Sequence, residues 1–155
     1  MKFFALILLL VLQIQVAYAE SLYIVGNKSS FKEPLKIDEI RSIYLLKLKN
    51  TKAGKKMLPI NLPPNSNVRA LFSQAVFHKQ AMALADYWNR MAFRGINPPI
   101  IQSSEKSVLI FVNHVAGAIG YVTTKPKDDL VTVLLEIGIN KDISKKSISQ
   151  AEAAN

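Results

Sequence analysis

Apolar and polar positions change period several times along this chain, and each change marks an element. Leu22 to Val25 is a short apolar run closed by Gly26-Asn27, the pattern of a buried first strand. Ile37, Ile40, Ile43 and Tyr44 then recur at three- and four-residue spacing, which predicts a helix over about 37–45 with one buried face. The polar stretch from Lys47 to Lys56 turns the chain into Met57 to Leu62, a second strand. Pro63-Pro64 stops it, because proline has no N–H to give to a ladder.

From Ser66, Val68, Leu71, Phe72, Ala75 and Val76 write an amphipathic helix with Asn65 or Ser66 as its N-cap. After His78, the positions Ala81, Leu84, Ala85, Trp88, Met91 and Ala92 predict another, with Asp86 and Arg90 spaced to pair on its outer side. Gly95 is placed to end it and Pro98-Pro99 prevents continuation. Ser103 or Ser104 caps a further helix with the stripe Val108, Phe111, Val112, Val115. Gly117 to Val122 and Val131 to Leu135 have the composition of buried strands, joined by the turn Lys125 to Asp129. Strands alternating with helices imply a layered α/β domain.

Residues 1–19 read as a secretory signal peptide: Lys2 is its positive start, Phe3 to Val16 are mostly apolar, and Ala17-Tyr18-Ala19 is a small-x-small cleavage pattern. Gln13 and Gln15 interrupt the apolar run, which falls short of the roughly 20 residues of a membrane span. Cleavage after Ala19 leaves 136 residues, one α/β domain over 20–143 followed by a polar tail over 144–155, and a periplasmic or secreted location. The tail lacks a sustained apolar stripe, so it is expected to be loose or only partly helical.

Charge narrows the partners. With Lys2 removed the chain carries 19 basic and 11 acidic residues, a formal balance of +8, which favours anionic partners. Nucleic acid is not expected, since no groove-binding motif accompanies the charge. The run Lys47, Lys49, Lys52, Lys55, Lys56 reads first as a solvated loop around Gly54 and second as a binding patch. With no Cys there are no disulfides or thiolate metal sites, so stability rests on packing. Catalytic residues, metals and cofactors are not expected either. His78 and His114 stand 36 residues apart, and there is no His-x-x-x-His or Gly-x-Ser-x-Gly spacing.

Several pieces occur in a recognisable order: Pro59-Ile60-Asn61, Ser66 with Phe72, Tyr87-Trp88, Phe93-Arg94-Gly95, Pro98-Pro99, and Gly117-Ala118-Ile119-Gly120-Tyr121-Val122. Together they resemble the phosphate-type solute-binding proteins of ABC transporters over about 22–136. The resemblance implies a single lobe of a type 2 periplasmic-binding-protein-like fold, a mixed sheet flanked by helices. It implies an extracytoplasmic solute-binding-like protein that is not an enzyme. Its expected ligand is phosphate or a related oxyanion, and its expected partners are an envelope or transporter protein or a second copy of the chain. In that family, helix-start N–H groups, hydroxyls and an Arg surround the oxyanion. The matching place here is Asn65, Ser66, Asn67, with Arg69 as the nearest charge. Ser66 stands six residues before Phe72 as in the family, but Asn67 and Val68 replace a Gly and a Thr, and Asn61-Leu62 stand where an Arg is usual. Those replacements imply weak binding, or a non-catalytic envelope interaction module that has lost solute binding.

Each of these residues also has a plainer reading. Asn65-Ser66-Asn67 is equally an ordinary helix cap, and Arg69 and Arg94 read as solvated surface cations. Phe72, Trp88, Phe93 and Tyr121 sit at core spacing, which favours packing over ligand stacking. Gly117 and Gly120 read as tight backbone geometry around a strand, because no Lys-Ser/Thr pair follows them. His78 and His114 read as exposed or capping residues at helix ends.

Overall fold

A computed structural model describes residues 20–140, 143–145 and 149. The leader at 1–19 and most of the tail lie outside the described residues. Among the described residues ten named elements follow in order. They are β1 (Glu20–Asn27), α1 (Ile37–Tyr44), β2 (Leu58–Asn61), α2 (Asn67–Phe77), a 3-10 turn (Ala81–Leu84), α3 (Ala85–Ala92), β3 (Ile100–Ile101), α4 (Glu105–His114), β4 (Ala118–Val122) and β5 (Val131–Ile139).

The strands form one mixed sheet in the order β3-β2-β4-β1-β5. β2 runs parallel to β3 and β4, while β1 runs antiparallel to β4 and β5. Strand periodicity assigns the faces. Gly120 lies beneath α4, where an added Cβ would come within 2.4 Å of Val108 Cγ1. Its neighbours Ile119 and Tyr121 point to the opposite face, where Tyr121 meets Phe72 of α2 and Tyr44 of α1. The core is therefore two apolar layers on one sheet, centred on Leu22, Ile24, Ile40, Ile60, Phe72, Ile119 and Tyr121.

Local chemistry accounts for the element ends. The Ser66 hydroxyl accepts the Arg69 N–H at 3.4 Å and the Ser104 hydroxyl accepts the Ser107 N–H at 3.2 Å, each satisfying an orphan donor of the first turn. Gly95, at φ 71, takes the left-handed backbone that ends α3, with its N–H on Ala92 O and that of Ile96 on Met91 O. Buried Asn27 closes the other end of α4, its side-chain amide donating to Val112 O at 2.8 Å and Asn113 O at 2.9 Å.

The structure departs from the sequence reading in the middle of the chain. The helix expected over Ala81 to Ala92 is a 3-10 turn followed by a short α-helix, and α3 contributes no buried residue. Trp88 is half-buried and Phe93 is 93% exposed, so the expectation that both are core residues fails. Spacing identified the stripe, but it is only partly covered: Leu84 and Trp88 face α2, while Phe93 is left open. Asp86 and Arg90 do not pair: the ion pairs among the described residues are Arg41–Asp38 and Lys52–Glu33. β3 was not foreseen, because two residues carry no period. β5 extends to Ile139, well beyond Leu135. The basic stretch is the exposed loop expected, turning at Gly54 (φ 79) and tied to the segment before α1 by Lys52–Glu33.

Candidate anion-binding site

Parallel pairing decides where polar groups gather. β2, β3 and β4 all finish at one edge of the sheet, α2 starts after β2 and α4 after β3, so both helix N-termini open at that edge. The two starts differ electrostatically. α4 carries its own acid: Glu105 accepts hydrogen bonds from the Thr123 N–H and, at 3.0–3.1 Å, from the Thr123 hydroxyl just past β4. α2 has no acid in its first turn. Among the described residues the N–H groups of Asn67 and Val68 have no acceptor, as expected for the first positions of a helix. Of the two, only the α2 start combines a positive helix end with a half-buried cation and no acid.

That cation is not the solvated side chain its position suggested. Arg69 is half-buried and its Nη1 donates to Leu62 O at 2.7 Å. Burial pulls its pKa below the ordinary arginine value, opposed by Tyr121. The same residue is held on its amide side, with Leu62 N–H donating to the Tyr121 hydroxyl at 3.0 Å. Tyr121 OH in turn donates to Asn61 Oδ1 at 3.2 Å. Burial raises the Tyr121 pKa well above the usual phenol range, so it serves as a neutral hydrogen-bonding hub.

The four site residues expected from the sequence thus divide. Asn65 and Asn67 are exposed, Ser66 is half-buried as the N-cap, and Arg69 reaches inward behind them. Ser66 and Arg69 are brought together through the cap bond. Arg94 is exposed, as read from the sequence. Sequence reasoning missed Asn61, Tyr121 and Thr123 as polar groups of this edge, together with Glu105. Only Glu105, an acid directly after a capping Ser, carried a local signal. The others meet through β2–β4 pairing.

A cavity of about 10 Å³ lies inward of Arg69, between it and Asn61, Ser73, Leu84 and Trp88. A larger one of about 310 Å³ opens at the opposite sheet edge, among Phe31, Leu35, Ile43, Leu48 and Met57. It contains none of the four expected residues. Lys32, Glu33, Glu39 and Lys52 line it beside these apolar side chains. Among the described residues no group of three or more His, Asp or Glu is arranged to hold a metal, and no helix is long and apolar enough to cross a membrane.

Neither protein-family models nor curated proteins match the sequence. Solved structures do. The chain is similar to an ABC-type phosphate transport receptor from Vibrio cholerae, with a TM-score of 0.59 at 18% identity over 74% of this chain and 45% of that one. The fold is that of the phosphate-transport receptors. A second similar structure is a putative phosphate ABC transporter substrate-binding protein with bound phosphate from Clostridium perfringens. It matches with a TM-score of 0.59 at 15% identity, over 86% of this chain and 61% of that one. The chain therefore spans about half the length of these receptors.

Proposed function

We propose that this protein is an extracytoplasmic solute-binding-like protein that holds phosphate or a related oxyanion weakly at the start of α2, with Asn65, Ser66 and Asn67 as the floor and Arg69 as the charge. One observation carries the reading. Arg69 is half-buried with no carboxylate within ion-pair distance among the described residues, directly behind a helix start with two unpaired N–H groups. A desolvated cation beside such donors is completed by an anion. The phosphate-receptor fold supports the same ligand class, and the 1–19 leader supports action outside the cytoplasm. Since the first turn supplies one hydroxyl where the resemblance calls for two, affinity is expected in the micromolar range or weaker, about −8 kcal/mol or less favourable.

Calorimetric titration of the mature protein with phosphate, sulfate and molybdate tests the reading. Binding that disappears in Ser66→Asp, with the fold retained, supports it, because Asp still caps the helix but places a carboxylate where the anion sits. Phosphate binding that survives Ser66→Asp refutes the placement.

A second reading, a non-catalytic envelope interaction module, draws on the exposed apolar side chains Met82, Phe93, Ile100 and Ile101 and on the half-length match to the receptors. A wild type that binds no oxyanion but is dimeric, or captured by a transporter or envelope protein, favours it. Intact mass beginning at Glu20 tests the leader.

A further inference from the structure

The small cavity behind Arg69 is lined by two buried donors, Asn61 Nδ2 and the Ser73 hydroxyl, that have no acceptor among the described residues. Tyr121 fixes the first. Its oxygen takes the Leu62 N–H at 3.0 Å, so its own proton goes to Asn61 Oδ1 at 3.2 Å, and this orients the Asn61 amide. The Asn61 Nδ2 group, on a residue only 7% exposed, is left with no acceptor among the described residues. Ser73, one turn beyond Arg69 on α2 and 3% exposed, likewise has no partner for its hydroxyl among the described residues. Arg69 engages Leu62 O through Nη1 alone. Buried polar groups are normally paired, and leaving two donors and a guanidinium facing one void costs stability unless something fills it.

We propose that this cavity is a binding site for one small monovalent anion of chloride size, held by Asn61 Nδ2, the Ser73 hydroxyl and the Arg69 guanidinium. A water molecule also fits the volume, since a cavity of about 10–15 Å³ admits one, but water brings no charge to offset the Arg69 guanidinium. An anion needs only donors, and it also neutralises a cation that has no carboxylate. Leu84 and Trp88 border the cavity opposite α2. Both are half-buried on a segment without buried residues, and the Tyr87 hydroxyl fastens that segment to Leu45 O at 2.6 Å. The site lies inward of the proposed oxyanion position at the α2 start and shares Arg69 with it, so the two anions would compete for one charge.

Trp88 is the only tryptophan in the chain and borders the cavity, so its emission reports occupancy. The test is to dialyse the secreted protein into sodium gluconate and titrate it with sodium chloride at constant ionic strength, while following Trp88 emission and the 35Cl line width. A saturable emission change with matching line broadening is expected, weakened about 10-fold or more in Ser73→Ala, which removes one hydrogen bond to a charged group. A linear emission change, no line broadening, or an unchanged response in Ser73→Ala means that the cavity holds only water, and overturns the proposal. Ser73→Cys, which keeps the volume but is a poor donor, checks the loss should the alanine variant unfold. A protein that answers to chloride but not to phosphate keeps this site and loses the oxyanion reading.

Discussion

Phe72 and Tyr121 lie face to face, with ring centroids 4.0 Å apart and planes 4° from parallel. The stack joins the middle of α2 to β4, and Tyr44 closes on Phe72 from α1 at 4.5 Å. All three rings are buried, so one aromatic cluster fixes both helices of this face to the sheet. The same contact sets the position of Tyr121 OH, and with it the Leu62 peptide and the Asn61 amide. Packing and the polar edge thus share a part.

Phe72→Ala is expected to destabilise the protein by about 3–5 kcal/mol, the range for emptying a large aromatic site. Tyr121→Phe keeps the stack but strands the buried Leu62 N–H, and is expected to cost about 1–3 kcal/mol. Chemical denaturation of the two variants measures both. A larger loss from Tyr121→Phe than from Phe72→Ala would mean that the polar hub outweighs the packing.

Trp88→Ala is expected to cost only about 1–2 kcal/mol, because the side chain is half-buried and gives up part of the apolar area of a core residue. A loss above about 3 kcal/mol, read from the same denaturation curves, would show α3 packed more deeply than the structure has it.

Gly117→Ala is expected to lose at least about 2 kcal/mol. At φ 83 a side chain is strained, and its Cβ would lie 2.1 Å from Lys56 O, a backbone atom that cannot swing away. Gly138→Ala, whose Cβ meets nothing within 4 Å and whose backbone is ordinary, is expected to change stability by less than about 0.5 kcal/mol or to increase it slightly. The difference in thermal midpoint between the two variants is the measurement.

Stability is expected to fall above about pH 10. Burial raises the pKa of both Tyr44 and Tyr121, so the folded protein keeps protons that the unfolded chain releases. A phenol with a raised folded pKa contributes fully below its unfolded value, and that contribution is lost as pH rises beyond it. The slope is at most about 1.4 kcal/mol per pH unit for each tyrosine. Denaturation midpoints between pH 8 and 11 should show a shallower fall in Tyr44→Phe than in the wild type.

Much of the architecture was legible along the chain. The Ile37, Ile40, Ile43, Tyr44 spacing located α1 over Ile37–Tyr44, and Ser66 capped α2 as its position required. Gly95 ended α3 with positive φ, and Gly117 and Gly120 proved to be close-approach positions. These features are local: a cap, a stop or an amphipathic face is written in residues a few positions apart. The charge balance and the resemblance to phosphate receptors were likewise readable without coordinates.

What the tertiary structure alone decided depends on residues far apart in sequence. The spacing of Trp88 and Phe93 is that of core residues, yet burial needs an opposing layer, and none covers Phe93. Arg69 has the sequence context of a surface cation, but the Leu62 carbonyl at the end of β2 and the burial around it turned the side chain inward. Tyr121 became a hub and Asn61 an oriented donor only because β2 and β4 run side by side, 60 residues apart. Periodicity states which face of an element is apolar. Whether that face is covered, and which polar groups share its edge, follows from strand pairing and helix docking.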